Sequence, residues 1–136
     1  MPSRWLVKSE PNVYSIDDLK RDGKTTWDGV RNNAAALHLK TMQVGDECFF
    51  YHSNEGKAVV GVAKVVTTAF PDKSDPAGRF VAVELGYGRT LKEPVTLAQI
   101  KAEPALADMK MLRENRLSVS PVRDAEWDLI LKMAGG

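Results

Sequence analysis

One cysteine, two histidines and almost no net charge are the scarcities of this chain, and each removes a class of protein. With Cys48 alone no intramolecular disulfide can form, so a reducing compartment is the expected setting. Lys+Arg 19 against Asp+Glu 18 leaves a formal net charge of +1, which argues against coating nucleic acid by bulk electrostatics. Counterion release needs several clustered phosphate contacts, and only a local basic groove could supply them here. No apolar run reaches the length of a bilayer span, and Met1 to Lys8 carry charge at once with no secretory core. The cytosol is the expected location, or cytosol or nucleus in a eukaryote. No repeat, low-complexity tract or linker interrupts the sequence, which is expected to form one domain over 1–136, monomeric and without a cofactor or a membrane partner. Its 43% hydrophobic content suffices for one core without metal or disulfide support.

What is present reads as strands interspersed with short helices. Trp5-Leu6-Val7 has strand propensity and runs into the polar Lys8-Ser9-Glu10-Pro11. Ser15-Ile16-Asp17-Asp18 has the form of a capping box, and Gly23 supplies a stop, predicting a helix over 16–22. Asparagine followed by Ala34-Ala35-Ala36-Leu37 predicts a second helix, ending before Val44-Gly45-Asp46. Glu47 to His52 and Ala58 to Val66 read as a hairpin closed by Ser53 to Lys57, and Arg79 to Leu85 as a third clear strand. Phe70 to Gly78 between them reads as an exposed loop. Thr96 to Gln99 is another capping box, starting a short helix that Pro104 interrupts. Leu117 to Pro121 alternates like a strand, and a last helix over 124–133 places Trp127, Ile130 and Leu131 on one side. The class is α+β or a helix-decorated barrel, not regular βαβ units.

Most catalytic chemistries lack their residues. Cys48 and His52, four apart on one strand, would sit about 13 Å from each other and cannot chelate one ion. His38 belongs to the preceding helix and no second Cys completes a set, so Cys48 reads as a small buried hydrophobe and no metal is expected. Ser9, Ser53 and Cys48 are available nucleophiles with His52 as a base, but no Gly-x-Ser-x-Gly elbow occurs. Gly86-Tyr87-Gly88 and Gly56-Lys57 lack the remaining residues of a phosphate loop.

Trp27-Asp28-Gly29-Val30-Arg31-Asn32 is the informative cluster, too polar for core and too short for a helix, and it reads as a loop. An indole face can stack on a flat heterocycle, contributing about 1–3 kcal/mol per base. Asp28, Asn32 and backbone groups could read the edge of such a ring. The plainer alternative has Trp27 plugging one end of a barrel, Asp28 capping a turn and Arg31 pairing with it. Tyr51 and His52 close a strand end or line a pocket, Lys8 binds phosphate or is simply solvated, and Trp5 and Trp127 read as core.

Several ordered blocks together resemble the EVE domain: Trp5 to Pro11, Tyr14 to Leu19, Trp27 to Asn32, Met42 to Asp46, Phe49 to Ser53, Val60 to Ala63 and Arg116 to Val122. The resemblance covers almost the whole chain. It implies a PUA-like fold, a bent β-barrel with surrounding short helices, related to YTH and ASCH domains. It also implies a nucleobase pocket, with methylated or hydroxymethylated cytosine in DNA or RNA as the ligand class. By analogy with the methyladenine cage of YTH domains, Lys8, Ser9, Trp27 and Asn32 would line that pocket, with Tyr51, His52 and Ser53 closing its side. Where family members continue after Asn32 with an aromatic or His and then Gln-Ala-Arg-Asn, this chain has Asn33-Ala34-Ala35-Ala36-Leu37. The polar contacts of that glutamine and arginine are therefore absent.

Three functions follow as expectations. The first is a binding module in which an unpaired base meets Trp27, Ser9, Asp28 or Asn32 read its edge, and Lys8 or Arg31 lies near phosphate. The second is a small enzyme acting on a nucleobase, with His52 and Asp28 or Glu10 transferring protons. The third is an adaptor that has lost its ligand.

Overall fold

A computed structural model describes residues 3–114 and 116–135. Strands β1 (Arg4–Ser9), β2 (Lys24–Trp27), β3 (Glu47–His52), β4 (Ala58–Pro71), β5 (Val81–Thr96) and β6 (Val119–Pro121) form one mixed sheet in the order β2-β5-β4-β3-β1-β6. The β1–β3 pair is parallel, and the other ladders are antiparallel. Between them lie α1 (Ile16–Asp22), α2 (Asn33–Thr41), α3 (Leu97–Ala102), a 3₁₀ turn at Pro104–Leu106, α4 (Lys110–Arg113) and α5 (Asp124–Met133). The class is α+β, and β2 and β6 stand at opposite ends of the sheet order, so no ladder between them closes it into a full barrel.

Side-chain alternation along the strands divides the interior in two. Trp5, Val7, Cys48, Phe50, Val65 and Leu85 face one side, covered by Leu19 of α1 and Leu39 of α2. Leu6, Phe49, Val62 and Val95 face the other, covered by Ile100, Trp127 and Ile130. Trp127 stacks on Phe49 with ring centroids 3.8 Å apart, so Trp5 and Trp127 are both core, as expected. The buried carboxylate of Asp46 accepts from Trp5 Nε1 at 3.0 Å and from the Ser3 and Gln43 amides, fixing the turn after α2 against β1.

Three helix starts follow their sequence signals. The Ser15 hydroxyl accepts from the Asp18 amide while Asp18 accepts from Ser15 N–H, and Thr96 and Gln99 repeat the arrangement on α3. The Asn32 side chain caps α2 by accepting from Ala35 N–H at 3.0 Å. Three expectations are corrected. Trp27 ends strand β2 rather than lying in a loop, because Lys24 to Trp27 pair with Val83 to Gly86 of β5. Strand β4 continues to Pro71, absorbing the start of the segment read as loop, and β5 runs on past Leu85 to Thr96. Finally, Asp72 within the supposed exposed loop is buried. Four register shifts bend the long β4–β5 ribbon, each accommodating residues that the two-residue strand period leaves unpaired.

Candidate functional site

A cavity of about 460 Å³ opens where the ends of β1 and β2 approach each other. Three strands lie between these two in the sheet order, so a single cavity lined by both requires the sheet to curl around its first face. Strand β1 contributes Lys8 and Ser9, β2 contributes Thr25 to Trp27, and the following turn contributes Asp28 to Arg31. Val13 and Tyr14, from the segment between β1 and α1, and Ser118, just before β6, complete the lining.

The indole of Trp27 is 8% exposed and meets Phe50 edge-to-face at 5.5 Å, so the core holds it while it still contributes to the cavity wall. The plug reading and the pocket-wall reading of this residue each describe part of it. Ser9 donates its hydroxyl proton to the Tyr14 carbonyl at 2.7 Å, which leaves the oxygen free to accept from a ligand but provides no base to activate it. Burial pushes the Lys8 ammonium pKa down, and its Nζ sits 5.8 Å from the Tyr51 ring centroid. Asp28 is exposed at the cavity, and its carboxylate makes no hydrogen bond or ion pair among the described residues.

The turn after Trp27 is held by a residue that sequence reading passed over. Asp72 has no exposed side-chain surface and accepts from Gly29 N–H (2.8 Å), Arg31 Nη1 (3.1 Å), Ser74 N–H (2.7 Å) and Ser74 Oγ (2.6 Å). Burial alone would raise its carboxyl pKa, but the Ser74 hydroxyl, the two amides and the guanidinium outweigh it and hold it well below the usual carboxylate range. Arg31 therefore pairs with Asp72 and not with Asp28. Its second nitrogen donates to Ser74 Oγ at 3.0 Å and its guanidinium lies over Phe80. A carboxylate inside the run Pro71-Asp72-Lys73-Ser74 gives no sequence sign of burial. The nearest hint was Arg31 itself, a cation needing a partner.

The remaining candidates separate. Tyr51 and Ser53 line a second cavity of about 270 Å³ that shares Lys8 with the first. His52 lines neither: its Nε2 accepts from Ile16 N–H at 3.1 Å, capping one of the amides left unpaired at the start of α1. Asn32 is spent on the cap of α2 and is absent from the wall of the first cavity. Cys48 is fully buried, which pushes its thiol pKa up, and His38 sits beside Trp5 at 5.6 Å. Among the described residues no group of three His, Cys, Asp or Glu could hold a metal, and no helix is long and apolar enough to cross a membrane.

An indole wall, hydroxyls and an unpartnered carboxylate around one opening suit a flat polar ring, and comparison with known proteins places the fold. The sequence profile of the EVE domain matches residues 3–133. The chain belongs to the EVE domain family. A protein from Rhodopseudomonas palustris, solved by NMR, superposes on this EVE domain with a TM-score of 0.93 at 50% identity, covering 98% of this chain and 93% of that one. Thymocyte nuclear protein 1 from Homo sapiens is 34% identical over 98% of this chain and 74% of its own length. The human THYN1 structure in complex with 5-methylcytosine-containing DNA has a TM-score of 0.88 at 33% identity, covering 98% of each chain. An ASCH protein from Zymomonas mobilis, at 11% identity and a TM-score of 0.60, shares the fold alone, and the EVE domain is PUA-like as expected.

Proposed function

We propose that this EVE domain binds nucleic acid by taking one 5-modified cytosine into the Trp27 cavity. The observation that carries the reading is convergence: Ser9 at the end of β1 and Trp27 with Asp28 at the end of β2 line one opening of about 460 Å³. The similarity to human THYN1, solved with 5-methylcytosine DNA, supports it. Cytosine presents an exocyclic amine, and a carboxylate is the side chain that accepts from it, a role that falls to Asp28. The Trp27 indole provides an apolar surface for the ring, and Ser9 Oγ an acceptor at its edge. A nearly neutral chain fits this mode, because a shaped pocket needs little bulk charge. The cytosol, or the nucleus in a eukaryote, is the compartment that goes with such a ligand and with a single buried thiol.

Fluorescence titration of the three tryptophans with strands that differ only in carrying 5-methylcytosine or cytosine tests the reading. The modified strand is expected to bind more tightly, with the preference reduced in Asp28→Asn and in Trp27→Phe. Equal binding to both strands, abolished by salt and unchanged in either variant, would overturn it.

A further inference from the structure

The second cavity is lined by three lysines, Lys8, Lys57 and Lys101, and by no carboxylate. Arg4, Arg21, Lys24, Arg31, Lys110 and Arg113 of this EVE domain pair with Asp or Glu. Lys57 and Lys101 form no ion pair among the described residues, although the chain carries only one net positive charge. Two cations without an ion-pair partner thus share one concavity that no described carboxylate lines. Beneath it, Tyr51, Met111 and Leu112 provide an apolar floor, with Tyr51 and Met111 buried. Cations around an apolar floor match an amphipathic anion, with a sugar or ring below and phosphate above. Lys8 borders both cavities, so the two lie side by side.

We propose that this cavity is a backbone subsite, which takes the phosphodiester-linked nucleotide next to the recognised base, with Lys57 and Lys101 contacting its phosphates. The proposal rests on the base-binding reading for its register, but it has a separate signature. Phosphate contacts make affinity depend on salt without carrying sequence information, whereas contacts in the Trp27 cavity set the preference for the modified base.

Single-stranded oligonucleotides containing 5-methylcytosine or cytosine are titrated over a range of salt concentrations against the unaltered protein, against Lys57→Gln/Lys101→Gln, and against Lys57→Arg/Lys101→Arg. Both lysines are exposed, so the variants are expected to keep the unaltered thermal unfolding midpoint. The glutamine pair is expected to lower the slope of log affinity against log salt by about 1.4, from about 0.7 per lost contact, and to weaken binding roughly tenfold near 0.1 M salt. Preference for the modified strand should be unchanged, and the arginine pair should restore the slope. An unchanged slope in the glutamine pair with the preference intact overturns the subsite and leaves the base reading standing. A lowered slope in a protein that never discriminates the strands supports a phosphate site and overturns the base reading. Absence of strand binding by the unaltered protein overturns both.

Discussion

Asp72 is the residue on which the site's geometry depends most, although it lines neither of the two cavities. Its oxygens hold Gly29 and Arg31 from the Trp27 turn and Ser74 from its own loop. Removing the charge leaves these donors poorly matched around a buried position. Asp72→Asn is expected to cost about 2 kcal/mol, below the range for a fully buried pair because Arg31 remains partly in solvent. The pH dependence follows from the depressed carboxyl. The unfolded chain takes up the proton first, so the stabilisation is complete above about pH 4 and is lost as pH falls toward the folded value. Urea unfolding from neutral pH into acid should show a lower plateau for Asp72→Asn and a shallower acid decline, with the two curves converging. Parallel curves would mean that Asp72 is not the group responsible. The contrast with Trp27 explains what was legible at this scale. An indole beside Asp and Gly is conspicuous in sequence, whereas a carboxylate among Pro, Lys and Ser looks solvated until the tertiary structure supplies its donors.

Among the elements, those whose signals are local were the easiest to read. Helices α1 and α3 begin at reciprocal caps spelled out in four residues, and α5 spans the expected 124–133. Strand β2 was missed because Lys24-Thr25-Thr26 is exposed or half-buried, and only pairing with Val83 to Gly86 makes it a strand. The far halves of β4 and β5 escaped for a related reason, since bulges break the alternation that would announce them. His52 joins two elements, β3 and α1, through Ile16 N–H, and this contact needs an unprotonated Nε2. Burial lowers the imidazole pKa, with the nearby Asp17 carboxylate opposing in part. The bond is therefore intact above the usual histidine value of about 6.5 and is lost as pH falls through the lower folded value. Hydrogen exchange at the Ile16 amide, corrected for intrinsic rate, should lose protection as pH falls below the usual histidine value, with a flatter profile in His52→Gln. Protection independent of pH in the unaltered protein would show that His52 does not cap α1.

For the molecule as a whole, the main consequence of the fold is that one sheet serves two interiors. Phe49 and Phe50 are adjacent on β3 and both fully buried, yet the strand period sends Phe49 to Trp127 and Phe50 to Trp27. Stability and recognition should thus be separable by one residue's shift along a strand. Phe49→Leu and Phe50→Leu each remove an aromatic contact from a packed interior, and each is expected to cost about 1–3 kcal/mol in urea unfolding. Only Phe50→Leu withdraws the support that orients the Trp27 indole at its cavity. It is expected to reduce the preference for 5-methylcytosine strands, while Phe49→Leu keeps that preference at temperatures where it remains folded. Equal loss of preference in both variants would tie recognition to global stability, and intact preference in Phe50→Leu would remove the Trp27 wall from the recognition surface.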